Sequence, residues 1–195
     1  MDELLCVQQV LSGNTSAFAY FVETYQDMAM TIALRVCENM QDAEDIVQES
    51  YLKAFRNLHS FRGDSKFSTW FYRIVYNTAV THAKVKIWTT DYGKEAEEVP
   101  ALSDYSPEMR LEESEKKEMV SKILDHMPKG DALLLTLYYM EDHSVKEVAK
   151  ITGLNESNVK VKLFRARKVF KEMLLNYLRL DRKGCCEETF MKNGR

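Results

Sequence analysis

DAEDIVQESYLKAFRNLHSFRGDSKFSTWFYRIVYN, residues 42–77, reads as two helices joined by a turn that holds Gly63, the only glycine between Gly13 and Gly93. Asp42 suits an N-cap, and Asp45 adds negative charge where the positive end of a helix favours it. Ala43, Val47, Tyr51, Ala54, Phe55 and Leu58 repeat at helical spacing and form a face to bury. Asp45, Gln48, Glu49, Lys53 and Arg56 form the opposite face, with Leu52 in its middle. A solvated face has no use for that leucine. After Gly63-Asp64-Ser65, Phe67, Trp70, Phe71, Ile74 and Thr78 mark the core side of the second helix. Lys66, Thr69, Tyr72, Arg73, Tyr76, Asn77 and Lys84 fall on its other side. Tyrosines interleaved with cations and an amide suit unpaired bases, because rings stack on bases, cations meet phosphate and amides read base edges.

The rest of the chain is in keeping with helices. Seven Gly and three Pro in 195 residues leave long stretches without either breaker, and no sustained two-residue alternation of β-branched residues appears. The reading is all-α: two small helical domains joined by an acidic, flexible linker. Residues 1–12 form a short amphipathic helix offering Leu4, Leu5, Val7, Val10 and Leu11. Asn14 or Thr15 caps a long helix to about Glu38, with Phe18, Phe21, Val22, Tyr25, Met28, Ala29, Ile32, Ala33 and Val36 apolar. The first domain spans 1–88. Periodicity stops over 89–107, where Gly93, Pro100, Pro107 and an acidic run mark the linker.

The second domain spans 108–180. A helix ends before Pro128, Asp131 caps a central apolar helix over ALLLTLYYM, and Ser144-Val-Lys-Glu147 is a capping box. Gly153 makes the next turn, and Asn155 caps a last helix from Glu156 to about Leu178, ahead of a flexible tail, 181–195. Two helices around a short glycine-containing turn constitute a helix-turn-helix pattern. Val159, Leu163, Ala166 and Phe170 point to the core of the last helix, while Lys160, Val161, Phe164, Arg165, Arg167, Lys168 and Lys171 cover its surface. Cations there can meet phosphate or guanine, and an exposed Phe can pack on a thymine methyl.

The formal net charge of −3 hides an asymmetry. Residues 91–118 carry ten acidic side chains against four basic ones. Residues 144–183 carry eleven Lys and Arg against four acidic ones, a net +7. A basic module therefore follows an acidic connector. Cys6, Cys37, Cys185 and Cys186 lack zinc-ligand spacing. The first two read as buried thiols. His59, His82, His126 and His143 are scattered, and no phosphate loop or nucleophile motif appears, which argues against an enzyme and for no cofactor, metal or small-molecule substrate. With no signal peptide and no apolar span, the expected location is cytoplasmic.

DAEDIVQESYLKAF followed by FRGDSKFSTWFYRIVYNTA resembles region 2 of bacterial RNA polymerase sigma factors of the extracytoplasmic-function (ECF) group, within the sigma-70 family. SVKEVAKITGLNESNVKVKLFRARKVF resembles region 4 of the same factors. The resemblance implies a promoter-specificity subunit that binds core polymerase through the clamp helices of its largest subunit and through its flap. It places the clamp contacts on Asp45, Gln48, Glu49, Leu52, Lys53 and Arg56, and Leu52 is then apolar because a partner covers it. It places the −10 element on the turn Phe61-Arg62-Gly63-Asp64-Ser65 and the helix after it. Phe61, Asp64, Ser65 and Asn77 would form a pocket for a flipped base, Lys66, Arg73 and Lys84 would hold the backbone, and Tyr72 and Tyr76 would stack. Trp70 stays in the core. The −35 element falls to Ser157, Lys160, Val161, Lys162, Phe164, Arg165, Arg167 and Lys168. Val161 and Lys162 depart from the usual Ser or Arg, so the promoter cannot be copied from a relative. An anti-sigma protein is a candidate partner in such a group. The competing reading is a two-domain activator that uses only its helix-turn-helix, with a regulatory first domain.

Overall fold

The computed structural model describes residues 3–37, 39–84, 87 and 113–190, with the helical path alone given for 113–114 and 179–190. Its elements in order are α1 (Glu3–Leu11), a 3-10 turn (Thr15–Phe18), α2 (Ala19–Val36), α3 (Met40–Arg56), a 3-10 turn (Leu58–Ser60) and α4 (Phe67–Ala83). The second unit holds α5 (Glu113–His126), α6 (Lys129–Leu135), which runs into a π-turn (Thr136–Met140), α7 (Val145–Thr152) and α8 (Glu156–Phe190). No strand occurs among the described residues. The expected linker, residues 89–107, and the start of the second domain at Glu108 lie outside them.

The first unit is built on aromatic packing. Phe21 stacks on Phe67 at a ring separation of 4.0 Å, and Tyr51 stacks on Phe71 at 4.6 Å. These contacts tie α2, α3 and α4 into one core that also buries Ile32, Ile46, Leu58 and Val75. Close stacking adds to area burial, which for aromatics is already the largest share of a core. On α1 the structure turns Cys6, Val7 and Val10 inward and leaves Leu4, Leu5 and Leu11 exposed, a narrower buried stripe than the apolar pattern predicts. Cys6 and Cys37 are buried free thiols, as expected, and burial raises the Cys37 pKa.

Several helix starts differ from the expected ones by a few residues. The cap of α3 is Asn39, whose side chain accepts from the Asp42 amide at 2.8 Å. Asp42 instead sits in the first turn and takes a bond from the Asn39 side-chain amide. The chain after Asn14 makes a 3-10 turn before α2 begins at Ala19. α6 opens behind Pro128, with Asp131 inside its first turn. Pro supplies the preset φ that a helix start needs and gives up no bonded amide there. At its far end α8 continues through Phe190, past the expected end near Leu178 and into the expected tail. Gly184 lowers helix stability by about 1 kcal/mol relative to Ala, but no proline follows to force a stop.

The second unit packs α6 and its π-turn between α5, α7 and α8, burying Leu133, Leu134, Leu137, Ile151, Val159 and Leu163. The capping box at the start of α7 forms in both directions: the Glu147 amide donates to Ser144 Oγ and the Ser144 amide donates to Glu147 Oε2. Gly153 ends α7 at φ 74°, a left-handed conformation that favours glycine. Asn155 Oδ1 accepts the Asn158 amide at 2.7 Å and caps α8. The two units pack against each other. Lys129 Nζ donates to the Val36 carbonyl, and Arg35 pairs with Asp125. α7 lies along α4.

Candidate nucleic-acid and polymerase interface

The outer face of α3 is open. Asp45, Gln48, Glu49 and Arg56 are exposed and Lys53 is half-buried. Leu52 stands among them at 56% exposure. Lys53 pairs with Glu49 at 2.9 Å and also reaches Thr78 Oγ1 on α4 at 3.2 Å. Ala43, Ile46, Val47, Ser50 and Ala54 hold the opposite side of α3 in the core. The helix is thus fixed by its back while an apolar side chain ringed by charges is displayed on its front. That composition fits a small partner interface with a polar rim.

The turn between α3 and α4 brings most of the expected −10 residues together. Gly63 adopts φ 75°, and a Cβ there would meet Leu4 Cδ2 at 3.2 Å, so both conformation and space favour glycine. Arg62, Asp64 and Lys66 are exposed, and Ser65 is half-buried. Phe61 is half-buried against Phe67 and Trp70, with ring separations of 5.5 Å or less. Arg73 and Asn77 are exposed one and two turns along α4, and Lys84 is exposed at its left-handed C-cap.

Tyr72 and Tyr76 are not where the helical pattern put them. Their exposures are 1% and 6%, so neither ring is available to stack on a base in this arrangement. Tyr72 Oη donates to Glu141 Oε2 at 3.1 Å, and the His143 ring meets the Tyr72 ring edge-on at 5.7 Å. Thr69, expected on the open face, is buried too, and its hydroxyl lies 3.5 Å from Glu147. Burial and the Glu141 carboxylate both raise the Tyr72 pKa. For Thr69 and Tyr72 the physical reason is tertiary: the second unit covers their side of α4, and Tyr25 of α2 also meets the Tyr72 ring edge-on at 5.9 Å. Neither Glu141 nor His143 carried any signal in the sequence that could have placed it there.

On α8 the expected surface is largely open. Ser157, Lys160 and Lys168 are exposed, Phe164 is 42% exposed, and Val161, Lys162 and Arg165 are half-buried. Lys162 and Arg165 stand near Asp131 of α6, whose carboxyl is pushed up by burial and held down by those two cations. Arg167 is committed elsewhere. Its guanidinium lies over the rings of Tyr138 and Tyr139 at 5.6 and 5.5 Å, and its Nε is buried without a hydrogen-bond partner. It acts inside its own unit as a packing cation.

An α-helical core that displays an open helix face, followed by a basic helix-turn-helix unit, is an architecture suited to binding a protein partner and nucleic acid. Comparison with known proteins carries this further. Residues 21–89 match the family description "Sigma-70 region 2" and residues 117–169 match "Sigma-70, region 4". The chain is 32% identical over 181 residues to the RNA polymerase sigma-H factor of Pseudomonas aeruginosa, covering 89% of this chain and 94% of that one. It is 34% identical over 174 residues to the ECF RNA polymerase sigma-E factor of Salmonella typhimurium, covering 85% and 90%. The fold matches CnrH, solved in complex with the cytosolic domain of CnrY, with a TM-score of 0.60 at 20% identity over 87% of this chain and 95% of that one. It also matches the sigma factor RpoE of Bartonella quintana, solved with the anti-sigma factor NepR, with a TM-score of 0.57 at 21% identity over 82% and 96%.

The chain belongs to the sigma-70 family of RNA polymerase sigma factors, in the ECF group. It is a promoter-directing subunit whose partners are core RNA polymerase and promoter DNA. Region 2 occupies the first unit, so the activator reading, which left that unit without a polymerase role, falls away. Among the described residues no helix is long and apolar enough to cross a membrane.

Proposed function

We propose that the three surfaces divide initiation between them. The α3 face of Asp45, Gln48, Glu49, Leu52, Lys53 and Arg56 docks on the clamp helices of core polymerase, and the second unit contacts the flap. The turn and α4, through Phe61, Arg62, Asp64, Ser65, Lys66, Arg73, Asn77 and Lys84, hold the opened −10 element. α8 reads the −35 element through Ser157, Lys160, Val161, Lys162, Phe164, Arg165 and Lys168. Tyr72 and Tyr76, buried in the structure, are left out of the −10 surface, and Arg167, packed on Tyr138 and Tyr139, is left out of the −35 surface. Opening is driven by binding energy rather than by catalysis on this chain, which acts beside polymerase in the cytoplasm. An anti-sigma protein is a partner class suggested by the CnrH and RpoE complexes.

The observation that carries this reading is Leu52, a majority-exposed leucine on a helix whose other apolar residues are mostly packed. The test is run-off transcription on sheared genomic DNA with core polymerase, with and without the chain. New discrete transcripts that depend on the chain support the reading. A core enzyme that gains nothing overturns it.

A further inference from the structure

The turn between α3 and α4 is held by the first helix of the chain. α4 begins after Lys66, which makes no side-chain cap bond. A lysine cannot accept a hydrogen bond, so the leading amides of α4 lack the acceptor a cap residue would give them. Glu3 supplies one from α1: its Oε2 accepts the Phe67 amide at 3.4 Å. That is long for a hydrogen bond, so much of the effect is a negative charge at the positive end of the helix. The other carboxylate oxygen accepts the hydroxyl of Tyr25, a buried residue of α2. Burial raises the Tyr25 pKa and the Glu3 carboxylate adds to the rise, so the hydroxyl stays a donor. Leu4, 51% exposed, brings its Cδ2 to 3.2 Å from where a Cβ on Gly63 would stand. α1 also lies against the 3-10 turn Leu58–Ser60. Residues 58–67 are thus held at both ends and at their glycine by one short helix. The Phe67 ring carries the constraint onward, since it meets Phe61 and Trp70 at ring separations of 5.4 Å.

We propose that Glu3 and Leu4 are positioning residues for −10 recognition: through the Phe67 amide and Gly63 they fix the turn whose Phe61, Asp64 and Ser65 take the flipped base. This rests on the assignment of that turn to −10 DNA. Position 66 shows why the acceptor comes from elsewhere in the chain. A Ser, Thr, Asp or Asn there would cap α4 locally, but it would replace the exposed lysine assigned to the phosphates of the strand. A carboxylate supplied by α1 gives α4 its N-terminal charge and leaves the cation in place. Extracting a base is offset by contacts made inside the pocket, and those contacts count for most when the pocket is already in shape. A loosened turn therefore loses affinity for the base that enters it. Phosphate contacts carry no sequence information and are kept.

The test uses holoenzyme assembled from core polymerase and the full chain. The probe is a labelled single strand carrying the −10 region of a promoter found by run-off transcription. A set of the same strand with one abasic position each locates the captured base in the parent, and anisotropy gives every affinity. Glu3→Ala and Leu4→Ala should each lower affinity for the intact strand about fivefold, the fold-change of one ordinary hydrogen bond. Affinity for the strand abasic at the captured position should not change. Leu4→Met, which keeps a side chain against Gly63, should recover the loss, and Leu11→Ala, at the exposed far end of α1, should cause none. Should Glu3→Ala fail to fold, Leu4→Ala carries the test, because its side chain is half exposed. Equal losses on intact and abasic strands make α1 a scaffold only and overturn the positioning role. So does unchanged affinity in both variants while Asp64→Ala and Asn77→Ala weaken binding, and either result leaves the −10 assignment standing. If no abasic position weakens the parent and Asp64→Ala and Asn77→Ala change nothing, the −10 assignment fails, and the positioning role with it.

Discussion

Leu52→Asp separates docking from folding. The side chain is 56% exposed, so it contributes little to the core and its replacement should change stability by no more than about 0.5 kcal/mol. Burying a whole leucine is worth about 1.5–3 kcal/mol, and slightly more than half of that surface remains for a partner to cover, leaving about 1–1.5 kcal/mol for docking. Leu52→Ala should therefore weaken binding to core polymerase about five- to tenfold. Aspartate adds the cost of an unpaired carboxylate in a desolvated interface, several kcal/mol, beside Glu49 and Asp45 of like charge. Its loss should exceed about a hundredfold. The assay is anisotropy of a fluorescent chain titrated with core enzyme, with thermal unfolding alongside to confirm the fold. Twofold or smaller weakening in the Asp variant, with unchanged melting, would refute the docking assignment.

Phe67→Ala removes the ring that stacks on Phe21 and touches Tyr25, Phe61 and Trp70, and should cost about 3–5 kcal/mol in urea unfolding. A loss below 1 kcal/mol would mean that this aromatic cluster is not central to the core. Arg165→Ala and Arg167→Ala should differ although they are two residues apart. The first should weaken upstream-element binding by about 1–3 kcal/mol with loss of base preference if it reads a guanine. The second should lower the melting temperature of the second unit, because its guanidinium packs on Tyr138 and Tyr139. His143 is held below the ordinary imidazole pKa by burial. The stability it allows is fully present above about pH 6.5 and falls as the pH drops through the lowered value. Melting temperature should decline from pH 7 to pH 5.5, before most carboxylates titrate, and His143→Gln should flatten that slope. An unchanged slope in the variant would remove His143 as its source.

The resemblances over 42–79 and 144–170 were legible because they are dense local patterns. The capping box at Ser144 and Glu147, the left-handed glycine at 153, the Asn155 cap and the exposed Leu52 all formed as read. Each of these depends on residues within a few positions, so neighbouring chemistry is enough to specify it. Cap identity was less secure. Asn39 displaced Asp42 because several Asn and Asp residues near one helix start compete for the same orphan amides, and packing of the following helix picks among them. On α1, Cys6 was taken into the core in preference to Leu4 and Leu5, since the angle at which a helix meets its neighbours chooses the buried stripe.

What the sequence by itself determined is the all-helical composition, the turn chemistry and most of the faces of α3 and α8, with Phe55 exposed where a core position was expected and Arg167 packed inward where a surface position was expected. Periodicity, caps and charge are properties of short segments, and short segments carry them into any tertiary setting. Only the tertiary structure decided which face of α4 is open. The pattern showed two tyrosines among cations, and a helical wheel has one inside and one outside. It has no way to represent a second unit, some seventy residues on, that brings Glu141, His143 and Glu147 against that outside and buries Tyr72 and Thr69. Contacts of that sequence separation are settled by how whole surfaces fit, and no local spacing encodes them.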